Sequence, residues 1–173
     1  FVRLEYQSSK AGPKAIYALD NLWDGLGALT VVYPSVKYLF GKVTMYPSYH
    51  EECRDMILYF LTKHFPDPDR LVEPITPLAT HMDVEAMKRL FTGESFKEDY
   101  KILNKAIRDF GFNIPPLVNA YMSLSPSMRM FGTAINDEFG DVEESGIFFA
   151  ISEIFEEKKG RHIGTFHAGD TAM

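Results

Sequence analysis

Cysteine is almost absent. The single thiol, Cys53, cannot form an intramolecular disulfide and excludes every multi-cysteine zinc site. That usage fits a reducing, cytoplasmic setting. Positive charge is also scarce: 18 Lys and Arg face 24 Asp and Glu, giving a net charge of -6 and a pI near 5.4. Broad nucleic-acid binding needs a basic surface to neutralise phosphates, so no nucleic-acid partner is expected. No run of about 18 apolar residues occurs, so no membrane-spanning helix is expected. The chain also lacks a G-x-S-x-G elbow, a Walker loop, a zinc-protease motif, an internal repeat and any low-complexity block.

What is present is a core. The 173 residues are 46% hydrophobic, with 14 Phe and 9 Tyr, which is globular composition and enough for one domain or most of one. The opening, Phe1-Val2-Arg3-Leu4-Glu5-Tyr6, has no initiator Met and reads as the middle of a strand. A trimmed terminus and a fragment without its upstream strands both account for it.

A small polar loop follows, Gln7 to Pro13, and Gly12-Pro13 looks like a helix entry. Ala15, Ile16, Leu19, Leu22, Trp23 and Leu26 then recur at helical spacing up to Tyr33-Pro34. Tyr38 to Met45 is β-branched and aromatic enough for a strand, with Gly41 as a weak point. Ser48 and Glu51 make an S-x-x-E capping box for a helix with Cys53, Met56, Ile57, Phe60, Leu61 and Phe65 on its apolar face. Four prolines (66, 68, 74 and 77) make the next stretch extended. Val84 to Phe91 reads as a short helix capped by Thr80 or Asp83. Ser95 and Glu98 cap another, which ends at Gly111, and Pro115-Pro116 start a shorter one. Met128 to Ile135 and Ile147 to Phe155 read as an antiparallel pair around an acidic turn, Asn136 to Glu144, and the tail from Glu156 is expected to fray. The class is α/β, a mixed sheet with helices packed on it.

Several places are candidates for chemistry. The loop from Gln7 into the helix offers backbone N–H groups and a helix dipole to a phosphate, with Ser8, Ser9, Lys10 and Lys14 adding donors and charge; the plain alternative is an ordinary βα turn. Thr44, Met45, Tyr46, Ser48, Tyr49 and His50 lie at the carboxyl end of a strand, where open α/β sheets place ligands. His81, Asp83 and Glu85 lack metal-ligand spacing and read as a surface helix start. Glu143-Glu144 and Glu156-Glu157 read as solvated turn and tail. Lastly, Tyr121, Met130, Phe131, Phe139, Phe148, Phe149 and Phe155 crowd the final strands, as core residues or as the lining of a groove for an apolar chain.

These residues together resemble a family. Phe1 to Gln7, Leu22-Trp23-Asp24-Gly25-Leu26 and Tyr38 to Met45 are similar to the hemolysin-like, ornithine-lipid-synthase-like branch of the GNAT acyltransferases. Ile114-Pro115-Pro116-Leu117 through Tyr121-Met122 resembles that branch's P-P-L element, and Asn136 to Asp141 its acidic turn before the last strand. The likeness runs along nearly the whole chain. It is nearest to relatives that N-acylate glycine in the glycine lipids of Bacteroides-type bacteria.

The resemblance implies a GNAT-like domain over residues 1–155, represented by its carboxyl-terminal part without the first strands. Residues 66–113 would be a helical insertion and 156–173 a polar tail. It implies transfer of a fatty acyl group, often 3-hydroxyacyl, from acyl carrier protein (through 4'-phosphopantetheine) or from CoA to the amine of glycine or ornithine, with no metal. Gln7, Ser8, Ser9, Lys10, Gly12 and Lys14 would hold the donor's phosphate, although the glycines are displaced from the family's usual Q/R-x-x-G-x-G/A pattern. Glu5, Tyr46 and Tyr49 would handle protons. Acyl carrier protein and an amino acid are the expected partners, with peripheral contact at the inner membrane. A non-catalytic carrier-binding fragment, or a lysolipid or signalling-amine acceptor, are the competing expectations.

Overall fold

The computed structural model describes residues 18–164 and 166, and the chain divides into two compact units, Leu39–Ala150 and the segments on either side of it. The class is as expected, a mixed α/β fold. The elements are α1 (Ala18–Val32), β1 (Tyr38–Met45), α2 (Glu51–His64), α3 (Val84–Leu90), α4 (Phe96–Asp109), α5 (Pro116–Met122), β2 (Arg129–Asn136), β3 (Val142–Ala150) and α6 (Glu156–His162). The sheet runs β1-β3-β2, with β2 antiparallel to β3, and it is consistent with a partial GNAT-like fold.

Helix α2 is the centre of the larger unit. Its Cys53, Ile57, Phe60 and Leu61 are essentially inaccessible and meet Val43 and Met45 of β1, Leu103 and Ile107 of α4, Val118 and Met122 of α5, and Ile147 of β3. Fully burying one such side chain stabilises the fold by about 1.5–3 kcal/mol. Phe60 also stacks into an aromatic group with Phe91, Phe96 and Tyr100. Cys53 is therefore a packed small hydrophobe, and burial, then Glu52, pushes its thiol pKa up.

Local sequence explains most boundaries. Ser95 Oγ accepts from the Glu98 N–H at 3.3 Å and Asp83 Oδ1 from the Ala86 N–H at 3.0 Å, so both helices start on their side-chain caps. Gly111 takes φ +81° just past α4, the left-handed stop that a glycine supplies without strain. Gly41 has a packing reason: a Cβ there would lie 2.9 Å from the Tyr121 hydroxyl.

Three expectations fail. Ser48 does not cap α2: the Tyr49 N–H bonds to Tyr46 O at 2.8 Å, closing a turn around Pro47 and Ser48, and His50 becomes the cap residue without a side-chain bond. Proline is favoured at the second position of such a turn, and this preference overrides the S-x-x-E signal. The last strand starts at Val142, five residues before Ile147, because Arg54 of α2 neutralises Glu143 and Lys42 of β1 neutralises Glu144. The turn is confined to Asp137–Phe139 with Gly140 and Asp141, both at positive φ. The tail does not fray at once: α6 packs on α1, with His162 Nδ1 2.7 Å from Asp24 Oδ1. Gly27 permits this approach, since any Cβ would overlap the His162 carbonyl.

Candidate functional site

β1 ends at buried Met45, and the chain turns at once into α2 through Tyr46, Pro47, Ser48, Tyr49 and His50. This is the carboxyl end of a strand meeting a helix start, as anticipated. Tyr46 is 60% exposed, so its hydroxyl is available at the surface. Tyr49 is already engaged: its hydroxyl donates to Asn113 O at 2.9 Å and its ring packs edge-on against Phe112. Burial, and secondarily the neighbouring Cys53, raises the Tyr49 phenol to about 12, so it stays protonated at neutral pH. His50 lies between Phe110 and Phe112, with ring centroids 4.8 and 5.5 Å away. Its Nδ1 is buried and has no hydrogen-bond partner among the described residues. Such an orphan costs about 1–3 kcal/mol and calls for an explanation in a native site.

The structure thus brings Tyr49, His50, Phe110, Phe112 and Asn113 together and leaves Tyr46 outside that group. Glu5 and the donor loop Gln7, Ser8, Ser9, Lys10, Gly12 and Lys14 lie outside the described residues. His81, Asp83 and Glu85 form no cluster; Asp83 is a helix cap and Glu85 pairs with Lys88. Among the described residues no group of three His, Cys, Asp or Glu side chains converges as metal ligands do. No described helix is long and apolar enough to cross a membrane.

Two charged clusters escaped the sequence reading. Arg54, on α2, bonds Glu143 of β3 through Nη1 at 2.5 Å, Asp55 through Nε at 2.9 Å and Glu51 through Nη2 at 3.2 Å. Burial pulls its pKa down, but the bonds to Asp55 and Glu143 outweigh that and hold it above the ordinary value. Further along α2, Lys63 Nζ and His64 Nε2 reach Asp99 Oδ2 at 2.6 and 2.8 Å, while the Gly93 N–H donates to Oδ1 at 2.8 Å. Asp99 is fully buried. Burial raises its pKa, yet the bonds from Lys63, His64 and Gly93 prevail and lower it. The sequence held a signal for both: Asp99 precedes Leu103 and Ile107 by four and eight positions, and Arg54 shares a stripe with Leu58 and Leu61. Charges on an apolar stripe announce buried partners.

No protein-family model matches the chain, and no solved structure matches it. Curated proteins do. Over 166 residues, 96% of the chain, it is 69% identical to the glycine N(alpha)-acyltransferase of Bacteroides thetaiotaomicron. Over 166 residues it is 66% identical to the glycine N(alpha)-acyltransferase of Phocaeicola vulgatus. The chain spans about half the length of these curated relatives, 49% and 51% respectively, and within that half it is their close homologue.

Proposed function

We propose that the protein to which this chain belongs is an N-acyltransferase that joins a fatty acyl group, 3-hydroxyacyl in the family it resembles, to the amine of an amino acid, glycine foremost. The observation that carries the reading is the 69% and 66% identity to two enzymes named glycine N(alpha)-acyltransferase, sustained over 96% of the chain. The donor is a thioester, on acyl carrier protein or CoA, whose phosphate the Gln7 to Lys14 loop would hold at a helix start.

The chemistry is one displacement. The neutral amine attacks the thioester carbonyl, the N–C bond forms and the C–S bond breaks. One proton leaves the nitrogen, and one joins the departing thiolate. Backbone N–H groups stabilise the oxyanion that appears between the two events. Glu5 is the carboxylate nearest the donor loop in sequence and serves as the proton acceptor. Of the two tyrosines, Tyr46 is the better placed to meet a thiolate, since its hydroxyl is at the surface while Tyr49 is committed to Asn113. The product is an amphiphile, which suits an enzyme working at the cytoplasmic face of a membrane in aminolipid synthesis. Lipid extracts from cells expressing the full gene test this: N-acyl glycine should appear, and extracts holding neither N-acyl glycine nor N-acyl ornithine overturn the reading.

A further inference from the structure

Among the described residues of the larger unit β2 is a sheet edge, and an uncovered edge invites aberrant pairing. The proline-containing strap that follows α2 meets it through two backbone hydrogen bonds among the described residues. The Met130 N–H donates to Phe65 O at 2.8 Å, and the Leu78 N–H to Thr133 O at 2.7 Å beside a Pro77–Ala134 bridge. Between them the strap cannot zip onto the strand: Pro74 and Pro77 have no N–H, and β2 itself changes register against β3 between Met130 and Thr133. A cavity of about 520 Å³ results, lined in part by Val72, Pro74, Met130 and Phe131. Small-molecule sites occupy roughly 300–1,000 Å³. Pro74 closes down over Gly132, where a Cβ would lie 2.6 Å from the proline ring, so only glycine admits this roof.

We propose that this cavity binds a carboxylate-headed amphiphile, with its acyl chain against the apolar lining and its head on Arg70. Three charged side chains line the space: Asp67, Arg70 and Glu73. Asp67 is already satisfied, accepting from the Leu71 N–H at 2.6 Å and from Arg129 at 3.2 Å. Arg70 is held by Glu73 at 2.6 Å in a pair exposed at 77% and 57%. An exposed pair is worth at most about 1 kcal/mol, so exchanging Glu73 for a ligand carboxylate on the guanidinium costs little. Val72, itself 44% exposed, gives the lining an apolar side chain that reaches the surface. A free fatty acid and an N-acyl amino acid share this chemistry. Only the identification of the second as the reaction's product rests on the acyltransferase reading.

Calorimetric titration of the full-length protein with myristate, N-myristoylglycine and uncharged N-myristoylglycinamide tests the site. Val72→Trp fills the cavity and should weaken all three probes at least about tenfold, a loss of roughly 1.4 kcal/mol. Arg70→Gln, an exposed change that leaves packing intact, should weaken the two carboxylates about fivefold and spare the amide. A preference for one carboxylate over the other names the natural ligand, and either supports the site. Wild-type affinity in both variants, or equal loss of charged and uncharged probes in Arg70→Gln, overturns it. If cells make no N-acyl amino acid yet Val72→Trp still loses the probes, the function falls and the site stands. If N-acyl glycine is made and both variants bind as wild type, the site alone falls.

Discussion

Near the amino-terminal end of α2 one cation, Arg54, is set among three carboxylates; at its carboxyl-terminal end one carboxylate, Asp99, is met by the Lys63 ammonium, the His64 ring and a backbone N–H. Both clusters fasten the same helix, the first to β3 and the second to α4. They differ in what is left when the central charge is removed. Asp55 and Glu143 are 7% and 10% exposed and have nowhere to turn, whereas Lys63 is 33% exposed and can swing into water. The lesson is that a buried ion pair matters through the partner it would abandon rather than through its own attraction.

That difference can be broken experimentally, starting with the largest effect. Arg54→Met should destabilise the protein by about 3–5 kcal/mol in denaturant unfolding, because two anions stay buried without their cation. Asp99→Asn should cost less, about 2 kcal/mol, since the amide keeps part of the hydrogen bonding and Lys63 escapes to solvent. The two also part company with pH. Asp99 titrates below its ordinary value of 3.8, so its stabilisation is complete above 3.8 and is lost as pH falls through the lower folded value. The gap between wild type and Asp99→Asn should therefore close in strong acid, and a gap that widens there contradicts the assignment.

The smallest effect separates two serines that look alike in sequence. Ser95→Ala should cost about 1 kcal/mol, the usual value of an N-cap. Ser48→Ala should change stability by no more than about 0.5 kcal/mol, since Ser48 sits in the turn before α2 and caps nothing. Thermal melts of the two variants side by side decide it.

These serines show how far the sequence could be read. Periodicity located α2 and α4, Ser95, Asp83 and Gly111 set boundaries correctly, and the antiparallel pairing of the last strands was visible from their composition. Ser48 misled because Pro47 competes for the same few residues and a turn wins. Glu143 misled because acidity was read as solvation, although Arg54, 89 positions earlier, neutralises it in the fold. The candidate site divides in the same way. That a strand end would carry Tyr46, Tyr49 and His50 was legible from their order. The engagement of Tyr49 depends on Phe112 and Asn113, which reach the site only through α4 and the loop after it.

The most direct measurement mixes purified full-length protein with a 3-hydroxyacyl thioester, on acyl carrier protein or on CoA, and ¹⁵N-labelled glycine, and follows the products by mass spectrometry. The account predicts an N-acyl glycine carrying the label, formed in step with free thiol. Thiol release with the label remaining entirely in free glycine would contradict it.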